Sequence, residues 1–304
     1  MTRAIAFAVI AAFVVALCPF AQQAAAEKNP EYSKLLREYK DGFKTKNSLG
    51  DRRKAVSILA KSKDPRGVFD LAKDLKKQEK HAGKKRDEWQ KEEDAWKEKT
   101  ERLEKGVEKR RQRAKERGED TISVNEEEAE WLGASGRQGK MVSEKARIEK
   151  LYKKVLEEED FTSYILRGMA RILNQLEGDE YAKAGKKLAS LALSANKRMQ
   201  PAYVQVLGYT KGDIVTSALE KIATDTNPVI VMGALESLGR QNTPRGREIL
   251  FQYLDDERWQ IRSAAVQGLS FRHDAEVVDR LIQQAGKEEG SVKRRCFQAL
   301  SVIV

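Results

Sequence analysis

The 304-residue chain carries 58 Lys and Arg against 47 Asp and Glu, a formal charge of +11, with only 7% aromatic residues and six prolines. This Lys-, Glu-, Ala-, Leu- and Arg-rich composition suits long helices and argues against a strand-rich domain. Of the two cysteines, Cys18 lies ahead of the expected processing point, so Cys296 alone would remain and an intramolecular disulfide is excluded.

The first element is a leader. Arg3 is followed by an apolar run from Ala4 to Leu17, then by Pro19 and the small residues Ala24, Ala25 and Ala26 before Glu27. That order is a secretory signal peptide, with cleavage expected after Ala26 and export to the periplasm or the extracellular space. The run is shorter than the roughly 20 residues a membrane-spanning helix needs. Lipidation at Cys18 is disfavoured by Leu17, where that signal requires a small side chain. Residues 27–50 are then expected to form a capping helix: Asn29 and Pro30 open it, and Leu35, Leu36, Tyr39 and Phe43 share one face.

Residues 51–75 read as one helix-pair repeat. Ala55, Val56, Leu59, Pro65, Arg66, Gly67, Leu71 and Leu75 answer, at one constant offset and without a gap, to Ala234, Leu235, Leu238, Pro244, Arg245, Gly246, Leu250 and Leu254. No stop signal follows Leu75. The second helix of this copy is predicted to run from Pro65 through Arg117, about 53 residues and roughly 80 Å. Leu75, Ala82, Trp89, Trp96 and Leu103 recur every seventh residue along it, the spacing of a heptad seam.

Three residues after each seam position stand Gln78, Lys85, Glu92, Lys99 and Gly106, unsuited to a dry core, so a second helix must complete the seam. Gly118–Asp120 read as a tip and Gly133–Gly139 as an irregular stretch. Met141, Ile148, Tyr152 and Val155 form a return strip at helical spacing. Residues 76–160 are therefore expected to be a charged antiparallel helical hairpin inserted into the repeat pattern. Two readings stand for Trp89, Trp96 and Leu103. They either cover the hairpin as seam residues, or they present an under-filled apolar stripe to a protein partner or to a second copy of the chain. The basic run Lys109–Arg113 has Glu104, Glu108 and Glu116 beside it and reads first as a solvated, ion-paired face.

From 161 to 304 the period is explicit. Leu176, Leu207, Leu238, Leu269 and Leu300 recur at a fixed interval of about 31 residues, as do Leu188, Leu219, Leu250 and Leu281, and Ala192, Ala223, Leu254 and Ala285 keep the same phase. Two apolar series in register mean two helices per repeat. Asn227–Pro228 and Thr243–Pro244 each read as an N-cap with proline at the first helical position, and Gly239 is expected to end the first helix of its pair. Leu300 belongs to a first helix whose partner does not follow: either Ser301–Val304 end an unusual cap, or this is the front of a longer protein.

AVSILAKSKDPRGVFDLAKDL (Ala55–Leu75) and RSAAVQGLSFRHDAEVVDRLI (Arg262–Ile282) resemble the HEAT-repeat family, in particular its short bacterial form: a small residue, an apolar residue and a later Leu-Gly in the first helix, then a turn carrying Asp-Pro or Thr-Pro, then the second helix. The resemblance implies an all-α HEAT-like solenoid with repeats of about 31 residues and an inserted hairpin. It implies a scaffold rather than a named partner, because the fold serves many unrelated ones.

Catalytic constellations are not found. His81 lies in the charged helix and His273 in an intra-repeat turn, neither with a His or Cys at metal-ligand spacing. There is no Gly-rich phosphate loop and no GxSxG elbow. The wider HEAT-like group includes an iron-dependent hydroxylase built on His-Glu pairs and the bilin lyases, but no His-Glu dipeptide occurs here. Cys296 falls in phase with Ala265 and Ala234 and reads as a small core residue. The expected function is a non-enzymatic exported scaffold with no cofactor and no metal, binding protein partners through the solenoid or the arm, with self-association through the arm as a further expectation. A second reading has the basic arm bind an anionic cell-wall polymer or membrane surface. A nucleic-acid partner is set aside because of export.

Overall fold

The computed structural model describes residues 30–44, 46–118 and 137–303, with side chains of the last segment from residue 140. The expected leader, the Asn29 cap, Glu119, Asp120 and most of the glycine-rich stretch lie outside the described residues. What is described is helical, with no strand among the described residues: α1 (Pro30–Gly42), α2 (Leu49–Leu59), α3 (Arg66–Glu116), α4 (Arg137–Leu173), α5 (Gly178–Leu193), α6 (Gln200–Gly208), α7 (Asp213–Ile222), α8 (Pro228–Gln241), α9 (Pro244–Tyr253), α10 (Trp259–Leu269), α11 (Ala275–Lys287) and α12 (Gly290–Ile303). Residues up to Lys73 and from Ser163 onward form one unit, and Asp74–Thr162 a second.

The first unit is an α-solenoid. Successive first helices α6, α8, α10 and α12 stack in one layer, and the second helices α5, α7 and α9 stack in the other. The in-phase residues form the core between them: Leu207, Leu238, Leu269, Leu188, Leu219, Leu250 and Leu281 are all fully buried, as are Ala192, Ala223 and Leu254. Leu176 is buried too, but in the loop after α4. At the far end the apolar face of α12 is only partly covered, with Leu300 and Ile303 half-buried and Val302 exposed.

The caps form where the residue types demand them. Asn227 accepts from the Val229 amide and Thr243 from the Gly246 amide, and Ser48 does the same for Asp51 at α2. Gly239 behaves differently from the sequence expectation. Helix α8 passes through it to Gln241, and the left-handed cap is Asn242 at φ 51°. A side chain at Gly239 would put Cβ 2.1 Å from the Gly268 carbonyl oxygen of α10, and one at Gly208, the equivalent position one repeat earlier, 2.8 Å from Ser237 of α8. The repeated Leu-Gly thus exists for close approach of neighbouring first helices, not for termination.

Neighbouring repeats are also tied by polar side chains that reach back to carbonyl groups near the helix ends of the preceding repeat. Gln241 donates to Leu207 O and Thr210 O (both 2.8 Å), Tyr253 to Ala223 O (3.0 Å), Gln284 to Leu254 O (2.9 Å), and Arg272 to Thr243 O (2.7 Å). Gln175 does the same for Ala60 O across the sequence gap that separates the N-terminal copy from the array. Gly168 and Gly67 complete that junction, their missing Cβ atoms leaving room for Val56 and Ile172. Ahead of it α1 lies on α2, burying Tyr32 and Tyr39; the Tyr32 hydroxyl donates to Asp70 and the Arg66 guanidinium sits 4.6 Å from the Tyr32 ring centre.

In the second unit, residues 74–116 of α3 and 137–162 of α4 run antiparallel as a helical hairpin. Helix α3 as a whole has 51 residues, about 77 Å at 1.5 Å per residue. Helix α4 starts at Arg137, so residues 137–139, expected to be irregular, are helical. The polar positions Gln78, Lys85, Glu92 and Lys99, unsuited to a dry core, are cross-links of the seam. Lys85 binds Glu158 at 2.6 Å, Glu92 pairs with Arg147, Lys99 with Glu144 at 2.7 Å, and Gln78 donates to Glu158 at 2.6 Å. Arg86 adds a two-point pair with Glu159, at 2.8 and 2.6 Å.

Candidate interaction surfaces

A constant repeat length places equivalent side chains side by side on the solenoid surface, and one such row lies at the C-terminal ends of the first helices. Tyr209, Arg240 and Phe271 occupy it. The Arg240 guanidinium stands 5.7 Å from the Tyr209 ring and 5.2 Å from the Phe271 ring, and Glu236 holds it at 3.4 Å. Both rings remain exposed, Tyr209 at 57% and Phe271 at 38%, and Val302 continues the row. The next row inward carries Thr210, Gln241 and Arg272, all buried. Gln241 and Arg272 donate three of the inter-repeat hydrogen bonds described above, one of them to Thr210 O. Burial holds the Arg272 guanidinium below the ordinary arginine range, with Asp274 opposing that shift and Arg247 adding to it.

Where the N-terminal copy meets the array, the same row of helix ends opens into a cleft of about 690 Å³ lined by Ala60, Lys61, Arg167, Ala170, Arg171, Asn174, Gln175, Val206 and Tyr209. Its floor is apolar, from Ala60, Ala170 and Val206, and its rim carries the cations Lys61, Arg167 and Arg171 with no carboxylate among the lining residues. Lys61 and Arg171 have no ion-pair partner among the described residues. Beside it, Tyr164 lies between Arg53 and Arg167, each 6.0 Å from its ring centre, and shares a 2.6 Å hydrogen bond with Ser57. Asn174 accepts from the Lys211 amide and donates to Tyr209 O, which fixes the wall formed by α6.

In the hairpin, Trp89 and Trp96 are half-buried seam residues. Trp89 packs on Tyr152 with ring centres 4.7 Å apart and Arg86 above it, and Lys145 lies 5.9 Å from the Trp96 ring. The Trp96 indole N–H is buried without a hydrogen-bond partner among the described residues. Leu103 is half-buried further along the same seam. The structure therefore brings Trp89 and Trp96 against the return helix. Lys109–Arg113 are all exposed.

Cys296 is fully buried, and burial, aided by Glu288, pushes its thiol up to about 11. His81 stands 3.5 Å from Glu158, and His273 faces Ile303 O at 3.4 Å. No cluster of three or more His, Cys, Asp or Glu able to hold a metal occurs among the described residues, nor does a helix long and apolar enough to cross a membrane.

Sequence reasoning missed the cleft and the buried Gln241 and Arg272. The latter two carry a signal that could have been found, since Thr210, Gln241 and Arg272 keep the same period as the leucines. The cleft carries none, because its lining comes from three separated stretches. A comparison with curated proteins finds no match. The family model for HEAT repeats matches residues 185–270 and again, one repeat on, residues 215–301. The two matches overlap on the periodic core traced above, and residues 185–301 form a HEAT-repeat array.

Proposed function

We propose that the protein is a non-enzymatic scaffold, exported from the cytoplasm, that holds protein partners on its solenoid. The observation that carries this reading is the HEAT array of residues 185–301, a fold used chiefly for protein interaction. Exposed Tyr209, Phe271, Trp259 and Phe297 on that array support it, since aromatic side chains are enriched at interfaces. Export rests on the leader at residues 1–26. Two measurements test the proposal. A photo-crosslinking residue placed at Trp259 or Phe271 should give discrete protein adducts in the producing cell, and the mature chain should begin at Glu27. No adduct at either position, or a cytoplasmic chain that retains Met1, overturns it.

A second reading is favoured by the exposure of Lys109–Arg113 on α3: the arm adheres to an anionic envelope polymer or membrane surface. Deleting residues 78–158 and measuring retention on cell-wall sacculi and anionic vesicles at low and high salt separates the two. Unchanged retention rejects a role for the arm. Trp89, Trp96 and Leu103 remain the residues through which the arm would meet a protein or a second copy.

A further inference from the structure

We propose that the cleft between α2, α4 and α6 is a peptide site that takes a carboxylate-bearing segment of a protein partner, an assignment that rests on the scaffold reading. Helix dipoles account for cations at a helix C-terminus one at a time. Lys61 just beyond α2 and Arg171 in the last turn of α4 could each be explained so. The dipoles do not account for a lining in which three cations and no acid converge on one cleft. Elsewhere on the same unit Arg245 is matched by Glu220, Arg258 by Asp256, and the half-buried Arg280 by Asp255. Lys61 and Arg171 have no such carboxylate among the described residues, and together with Arg167 they line a single cleft.

The floor decides the class of ligand. Ala60, Ala170 and Val206 make an apolar strip, with the exposed Tyr209 ring at one side. A phosphodiester chain would leave that strip unused. A peptide alternating acidic and apolar side chains would fill the floor and place carboxylates on guanidinium groups, whose fork geometry matches them. Tyr164, between Arg53 and Arg167, lies close to the Arg167 guanidinium and limits its freedom.

The test uses the full chain and fluorescence anisotropy with a labelled peptide of alternating Glu and Leu. Competitors are the same peptide with Gln for Glu, a single-stranded oligothymidylate, and phosphatidylglycerol vesicles. The Glu peptide should bind, and the Gln peptide should bind at least about tenfold more weakly. The double variant Arg167→Gln/Arg171→Gln should lose roughly tenfold or more, while Arg245→Gln, outside the cleft, should not change binding. Equal affinity for the Glu and Gln peptides, an unaffected double variant, or stronger competition by the oligonucleotide or the vesicles overturns the assignment. Both arginines are exposed, so folding of the double variant is expected to match wild type, and circular dichroism verifies it. If adducts at Phe271 and Trp259 persist while the cleft shows no peptide binding, the cleft fails and the scaffold stands. If the adducts are absent as well, both fail.

Discussion

Gly239 shows how much one hydrogen atom can matter in a stacked array. Its Cα faces the Gly268 backbone across the α8–α10 contact, and a methyl group there has nowhere to go. Gly239→Ala should lower stability by about 1 to 3 kcal/mol, the range for overpacking a close contact. Gly286 in α11 meets nothing within 4 Å, and its alanine variant should be neutral or gain up to about 1 kcal/mol from helix propensity. Urea midpoints of the two variants should move in opposite directions or differ clearly in size. Thr243 stands between these extremes, capping α9 through the Gly246 amide. Thr243→Ala should cost about 1 kcal/mol.

Among elements, the repeat and the hairpin respond to different conditions. Leu238 and Leu250 are fully buried between the layers, so replacing either with Ala should cost about 2 to 5 kcal/mol; Val229, exposed at 63%, should cost within about 0.5 kcal/mol. The hairpin depends on charge at Glu158. Burial alone would raise its pKa, but hydrogen bonds from Lys85 and Gln78 outweigh burial and hold the carboxyl below its ordinary range. Because the folded-state pKa is depressed, the stabilisation is present above the unfolded carboxylate pKa of about 4.3 and is lost as pH falls through the folded value. Trp89 and Trp96 fluorescence should therefore report hairpin loosening in that acid window. Glu158→Gln should flatten this part of the pH dependence, and an unchanged profile would show that other carboxylates set it.

For the molecule as a whole, the question is how far a disturbance travels along the array. Stability in a stacked repeat is a sum of repeat and nearest-neighbour contributions. Here the neighbours are joined by apolar burial and by the row of Gln241, Tyr253, Arg272 and Gln284 hydrogen bonds. Cys296 reports on this from α12, because its thiol is fully buried and its raised pKa leaves little thiolate. Labelling of Cys296 by a thiol reagent should be slow in the native state. Leu219→Ala in α7 should accelerate it, because tightly joined repeats unfold together; an unchanged rate would show that they open independently.

Much of this was legible in the residues alone. The constant spacing of Leu207, Leu238 and Leu269, the caps at Asn227 and Thr243, and the unbroken run that became α3 are local or strictly periodic signals, and such signals survive being read one dimension at a time. Gly239 was misassigned because a glycine late in a helix can serve either a turn or a close approach, and only the position of Gly268 on the next helix distinguishes them. The charged seam of the arm looked incomplete for the same reason: Lys85, Glu92 and Lys99 are poor core residues until the opposing helix supplies Glu158, Arg147 and Glu144. The sequence by itself determined the repeat, its period and the helices that express it. Only the tertiary structure decided which glycine approaches which helix, which charges pair across the arm, and that Lys61, Arg167 and Arg171 converge without a carboxylate on one cleft, because each depends on residues far apart in the chain meeting in space.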